Sequence, residues 1–363
     1  MLSTVMSMGL MGIEGYQVLV EVNVSFGVPG FEIVGLPDAA VRESRERVRS
    51  ALKNLSLGFP EDRITVNLAP AGLKKEGAVY DLPIAVGLLC SMSKLPPESL
   101  RDTAIFGELS LSGEVRSVRG ALSMVISARE SGIKKVIIPA ANVKEAASVE
   151  GIEIYPAESL LTVFEHLSGR SAIKPMEVTP YEQLMSRPFS GVDLADIRGQ
   201  KKAKRALEIA AAGGHNLLLV GAPGSGKTLL SRAFAGILPQ MTFQEAMEVT
   251  RIHSAAGVLP DGLITERPFR APHHSASHAA LVGGGPHAMP GEISRAHHGV
   301  LFLDELPEYK KDVLEALRQP MEDGVVTVAR VNAQSTYPSQ FMLICAMNPD
   351  SGSIDTCMRE KAG

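Results

Sequence analysis

Residues 217–237 leave few folds open to this chain. An apolar β-run, Leu217-Leu218-Leu219-Val220, leads into Gly221-Ala222-Pro223-Gly224-Ser225-Gly226-Lys227-Thr228 and then a helix-forming stretch, Leu229 to Ile237. The octet satisfies the pattern G-x-x-x-x-G-K-[ST] in full. Glycines let the backbone turn tightly, so that successive N–H groups face one anion at a helix N-terminus. That arrangement requires a buried parallel strand and places the segment in an α/β fold. Lys227 is predicted to neutralise β- and γ-phosphates, and the Thr228 hydroxyl to ligate Mg²⁺.

Two downstream strands carry the chemistry such a loop needs. Val300-Leu301-Phe302-Leu303 ends in Asp304-Glu305, which sets two carboxylates at the C-terminal edge of a sheet. Asp304 is expected to hold Mg²⁺, and Glu305 to polarise the attacking water. Phe341 to Met347 is a third apolar run, ending at Asn348-Pro349. Placed between the other two strands, the Asn348 amide could orient that water and sense the γ-phosphate. Taken alone, without the other two motifs, Asn348 reads better as a turn residue before Pro349.

Loop, Asp-Glu strand and strand-terminal Asn, in this order and spacing, resemble an AAA+ ATPase. Arg267-Pro268-Phe269-Arg270-Ala271-Pro272-His273-His274-Ser275, Gly283-Gly284-Gly285, Pro290-Gly291-Glu292-Ile293-Ser294 and Leu317-Arg318-Gln319-Pro320 resemble the magnesium-chelatase-like branch, closest to its YifB/ComM family. The resemblance implies ATP and Mg²⁺ as cofactors and a homo-oligomeric, hexameric ring where a lid is present. It also implies DNA as partner, with hydrolysis driving branch migration during uptake of foreign DNA. Asp196-Ile197-Arg198-Gly199-Gln200 resembles the segment near adenine, which brings Ile197 and Gly199 into the cofactor-binding set. Gly324 to Asn332, turning near Asn332-Ala333-Gln334 and returning towards Phe341, resembles the hairpin preceding the sensor strand, and Arg330 is its candidate DNA contact; a surface salt bridge is the competing reading. Two alternatives to a DNA motor remain: a chelatase-like remodelling ATPase, and a nucleotide-binding assembly module that does not hydrolyse.

Seven of nine histidines fall between His253 and His298. Imidazoles are frequent metal ligands, but adjacent pairs such as His273-His274 and His297-His298 are hard to bring onto one ion. An insertion facing a pore or neighbour and hydrogen-bonded loop histidines both fit the pattern.

Ahead of this core, Gly107 to Val115 and Ser131 to Pro139 resemble the proteolytic domain of Lon, an α+β domain of the ribosomal protein S5 domain 2 type. Lon-type hydrolysis needs a Ser nucleophile and a Lys base. The corresponding positions here are Val79 and Met124; Ser123, Lys74 and Lys75 lie out of register. The expected organisation is therefore a non-catalytic Lon-like domain (1–168), a linker (169–190), a AAA+ core with parallel sheet (191–349) and an atypical tail (350–363). Within the first domain, Ala39 to Leu52 reads as a helix with apolar Val41, Val48 and Leu52 and a charged, solvated opposite face. In the family, a cysteine-rich element and a lid with an arginine finger follow Pro349. Here the tail holds Cys357 alone, too few for a four-ligand zinc site, and a truncated gene product is the expectation.

Composition narrows the function classes. Thirty-six basic against 40 acidic residues rule out a strongly basic coat, and Trp is absent with aromatics at 5%. Three cysteines in 363 residues suit a reducing compartment. The longest apolar stretch, Leu82 to Cys90, is far short of a bilayer span, so the reading is cytoplasmic with no membrane partner.

Overall fold

The computed structural model describes residues 1–185, 191–260, 262–285, 288–329 and 334–349. The chain divides into two compact units, Met1–Tyr181 with His253–Leu263, and Glu182–Ile252 with Ile264–Gly363.

The first unit is built on a seven-stranded mixed sheet. Strands β1 (Leu2–Met11) and β2 (Glu14–Ser25) form a hairpin whose turn passes through Gly12 at φ 64°. β3 (Gly30–Val34) and β4 (Arg63–Ala69) extend it on one side, and β5 (Thr103–Ile105), β8 (Lys135–Pro139) and β9 (Glu153–Ala157) on the other. The order is β3-β4-β2-β1-β5-β8-β9, and a two-stranded ribbon, β6 (Glu108–Leu109) with β7 (Val115–Arg116), lies apart. Val18, Val20 and Val22 alternate inward on β2, and Ile64, Val66 and Leu68 on β4, as a half-buried antiparallel pair requires. Helices α1 (Ala39–Asn54), α2 (Asp81–Ser91), α3 (Ala121–Glu130) and α4 (Leu160–Leu167) complete the unit. The Asp38 carboxylate caps α1 by accepting from Val41 N at 2.8 Å. Every residue of α2 is buried. At its start Asp81, with no exposed surface, accepts from Arg47 Nε (2.6 Å), Arg47 Nη2 (3.1 Å) and Leu109 N (3.1 Å). That pair joins α1 to α2. Val79 and Met124, where Lon-type chemistry needs Ser and Lys, are buried apolar side chains of this unit. Lys75 is buried, its ammonium donating to Pro70 O and, at 2.8 Å, to Leu73 O.

In the second unit, after the short α5 (Tyr181–Met185), α6 (Lys201–Gly213) and α7 (Lys227–Ile237) pack on a four-stranded parallel sheet. Its strands are β10 (Leu217–Val220), β11 (Phe269–Arg270), β14 (Val300–Leu303) and β17 (Met342–Met347), ordered β10-β17-β14-β11. Leu207, Leu230, Ala233, Phe234, Phe302 and Ile344 form the core between helices and sheet. β14 is buried throughout, as a central parallel strand should be. β10 is not. Leu218 and Val220 are 51% and 45% exposed, because β10 stands at the edge of the described sheet and is covered on one face only. The remaining strands pair locally: β12 (Gly283–Gly284) with β13 (Met289–Pro290), and β15 (Val325–Ala329) with β16 (Gln334–Pro338). The latter is the expected hairpin before the sensor strand; Arg330 lies outside the described residues. Among those residues, no helix is long and apolar enough to cross a membrane.

Candidate functional site

The parallel order places β17 between β10 and β14, so the ends of all three strands converge on one edge. Ligands of open α/β sheets bind at such carboxyl ends. The glycine loop runs from β10 into α7, with Gly224 at φ 74° and Gly226 at φ 87°. Those left-handed angles are ones that side chains with a Cβ rarely adopt. Gly226 caps α7, so the loop's amides and the helix N-terminus face the same space.

Four side chains from three distant segments meet there. Lys227 Nζ donates to Gly221 O (2.7 Å), Ala222 O (3.1 Å) and Asn348 Oδ1 (3.0 Å). Thr228 Oγ1 donates to Asp304 Oδ2 at 2.7 Å, while Asp304 Oδ1 accepts from Glu305 N at 3.0 Å. A hydroxyl and a carboxylate in contact are a pair of hard oxygen donors of the kind Mg²⁺ takes, and they fit that ion. On the other flank, Gln200 (φ 50°) donates from Nε2 to Ser225 O at 3.0 Å, tying the segment before α6 to the loop. Ile197 belongs to the core cluster, and Gly199 turns at φ 72° beside it. Ala222, Pro223, Gly224 and Ser225 form the loop's crown.

Glu305 departs from simple expectation. It sits in the left-handed region (φ 54°, ψ 49°), a conformation that costs a non-glycine residue energy and clusters at functional sites. Its Oε2 lies 3.3 Å from His274 Nδ1. His274 stacks on His273 (4.1 Å between centroids) and meets Tyr309 edge-on, while Tyr309 OH donates to Pro272 O at 2.6 Å. Neither the His274 contact nor the Gln200 bond was anticipated. The positive φ and the pairing of β11 with β14 reveal them, and both depend on the folded chain.

The second histidine pair lies elsewhere. Glu248 Oε2 is 3.2 Å from His297 Nε2 and 3.0 Å from His298 Nε2, three groups close enough to surround a metal. However, His297 Nδ1 accepts from Gln340 N at 3.0 Å, which puts the ring proton on Nε2. With its proton on Nε2 and its Nδ1 lone pair taken by Gln340 N, His297 has no free nitrogen to offer an ion. The cluster is therefore a hydrogen-bonded bolt. Burial, reinforced by His298, pushes the His297 imidazole down to about 4 in spite of Glu248. Burial would raise the Glu248 carboxyl, but Gln244, His298 and His297 hold it down, to about 2. A cavity of about 580 Å³ opens next to this bolt, lined by Leu238, Arg267, Gly299, Ser339 and Phe341. It marks the opposite end of the strands from the phosphate loop, so cavity size does not locate the chemistry here.

A parallel β10-β17-β14-β11 sheet, a full phosphate loop, and Asp304, Glu305 and Asn348 at one edge define a P-loop AAA+ protein of the magnesium-chelatase type. A family model described as magnesium chelatase, subunit ChlI, matches residues 193–361, and one described as subunit ChlI of Mg-chelatase matches 20–142. The competence protein ComM of Haemophilus influenzae is 47% identical over 352 residues, 96% of this chain and 69% of that protein. The uncharacterized protein YifB of Escherichia coli is 45% identical over 366 residues, 99% of this chain and 71% of its own length. An uncharacterized protein of Mycobacterium tuberculosis is 46% identical over 346 residues, 94% and 68% of the two chains. The chain belongs to the YifB/ComM family.

Proposed function

We propose that this chain is an ATP-binding, ATP-hydrolysing subunit of a AAA+ motor that remodels DNA. The observation that carries the nucleotide site is the meeting of Thr228 with Asp304 and of Lys227 with Asn348 at one strand edge. Gly221 to Gly226 would wrap the phosphates with backbone amides, and Lys227 would exchange its carbonyl partners for β- and γ-phosphate oxygens. Thr228 and Asp304 would hold Mg²⁺, which when bound supplies charge neutralisation across the phosphates. Glu305 would take the proton side of the attacking water, Asn348 would orient that water, and Ile197 and Gly199 would flank adenine.

The DNA partner rests on the competence protein among the relatives and on Arg330, which follows Ala329 in the sequence. A hexameric ring would bring the hairpins of β15 and β16 together around a strand. The N-terminal unit, with Val79 and Met124 where a protease needs Ser and Lys, is proposed as a non-catalytic Lon-like domain. The contact of Glu305 with His274 favours a second reading, in which the chain binds ATP and stays hydrolytically quiet. Titration with a fluorescent ATP analogue, then phosphate release with and without single-stranded or branched DNA, tests these claims. Absence of ATP binding would refute the site. Hydrolysis indifferent to DNA would refute the DNA motor, and binding without hydrolysis would support the quiet module.

A further inference from the structure

The charged face of α1 is more than a solvated surface. Five basic and two acidic residues lie on this helix, and all but Arg47 of the basic ones share one flank. Arg42, Arg45, Arg49 and Lys53 follow at helical spacing over about 16 Å. Arg45 is 3.0 Å from Glu46, whereas Arg42, Arg49 and Lys53 have no ion pair among the described residues. The flank borders an aromatic pair. The Arg49 guanidinium lies 5.7 Å over the Phe59 ring, and Phe59 stacks on Phe31 of edge strand β3 at 6.2 Å and 11°. The turn leading into β3 presents Phe26, fully exposed, and Val28, 85% exposed. Isolated exposed apolar residues need no explanation; an unpaired cation row bordered by an aromatic pair does.

We propose that this flank, from Arg42 to Lys53 with Phe59, Phe31 and Phe26, is a binding groove for single-stranded nucleic acid. Cations spaced along a line match successive phosphates, and ring faces beside them give bases something to stack on whatever their sequence. The flank belongs to the first unit and the phosphate loop to the second, so binding there should not require ATP.

The test is fluorescence anisotropy of a labelled oligothymidylate with the full chain, at about 50 and about 200 mM salt. With three or four phosphates neutralised and a slope of about −0.7 each, affinity should fall about 20- to 50-fold between those salts. The Arg42→Ala, Arg49→Ala, Lys53→Ala triple variant should lose most of the binding and flatten the salt slope. Phe26→Ala should weaken binding about fivefold or more. Glu46→Lys should strengthen it, Arg205→Ala on α6 should leave it unchanged, and Lys227→Ala should spare it while weakening ATP binding. Apart from half-buried Lys227, these substitutions are of exposed groups, and matching thermal melts exclude misfolding. No saturable binding by the parent chain, or a triple variant that binds like the parent, would overturn the proposal. So would binding of phosphatidylserine vesicles that the triple variant loses while neither protein binds the oligonucleotide.

Discussion

Replacing Lys227 by Ala tests the nucleotide site most directly. Its ammonium has three donors, and without nucleotide all three are spent, on Gly221 O, Ala222 O and Asn348 Oδ1. A triphosphate must win at least two of them away from neutral oxygens. Those bonds are already charge-assisted by the ammonium, at about 1.5–3 kcal/mol each, and a phosphate oxygen adds charge on the acceptor side, about 1–1.5 kcal/mol more per bond. The exchange of two bonds therefore favours binding by about 2–3 kcal/mol. Lys227→Ala should weaken ATP by about 30- to 150-fold. Titration of a fluorescent ATP analogue with Mg²⁺ present reads this, and circular dichroism establishes that the variant is folded. A variant that binds within about threefold of the parent would refute the assignment. It would mean that the backbone amides of the glycine loop hold the phosphates unaided.

Glu305→Gln should bind ATP within about threefold of the parent yet slow phosphate release by at least about 10²-fold, the usual worth of a positioned base; slowing below about tenfold would remove Glu305 from the chemistry. His274→Ala should change the hydrolysis rate only where Glu305 is intact, so an equal effect in the Glu305→Gln background would separate the two residues. In the first unit, Asp81→Ala strands the Arg47 guanidinium and should cost about 3–5 kcal/mol in urea unfolding, against little change for Glu43→Ala on the exposed face. The second unit should lose stability in mild acid. His297 takes its proton only near pH 4 when folded, against 6.5 in its ordinary state, so its contribution is full above about 6.5 and fades as pH falls towards 4. Glu248, near 2 against 4.5, adds a further loss below about 4.5. His297→Gln should flatten the first of these slopes in thermal melts across that range, and a parallel fall in parent and variant would refute it.

What could be read ahead of the structure was local. The loop and its helix, the apolar strands β14 and β17, and the hairpin before β17 all declare themselves within short windows, because turn chemistry and burial pattern repeat there. What could not be read depended on pairing between distant segments. β10 has the composition of a strand covered on both faces, and only its edge position exposes Leu218 and Val220. His274 and Glu305 are 31 positions apart, and their contact exists because β11 lies alongside β14. The same holds for Phe31 and Phe59, which meet through the register of β3 on β4 beside the Arg49 side chain of α1. The histidine cluster resolves into separate sites for a related reason: His273 and His274 follow one end of β11, while His297 and His298 precede β14.

That division places constraints on both ends of β14. At its start, His298 N donates to Gln340 O (2.6 Å), Arg267 Nη1 donates to His298 O (2.6 Å), and Glu248 holds both imidazoles. At its far end, Asp304 is held by Thr228 and Glu305 by His274. β11 runs beside it in register, Phe269 with Val300, and Arg270 is fixed to Glu292 by two bonds of 2.6 and 3.0 Å. The strand pair therefore behaves as a rigid bar, and the freedom of Glu305 is set by the four residues Ala271 to His274 alone. Releasing Glu305 towards a phosphate requires that short loop to move. The cost is one neutral hydrogen bond, Tyr309 to Pro272, and one largely solvated His–Glu contact, together about 1–2 kcal/mol. Micromolar nucleotide binding supplies about 8 kcal/mol, so a bound triphosphate can offset the release several times over. Without nucleotide, nothing described at the site offers Glu305 a nearer charged partner than His274.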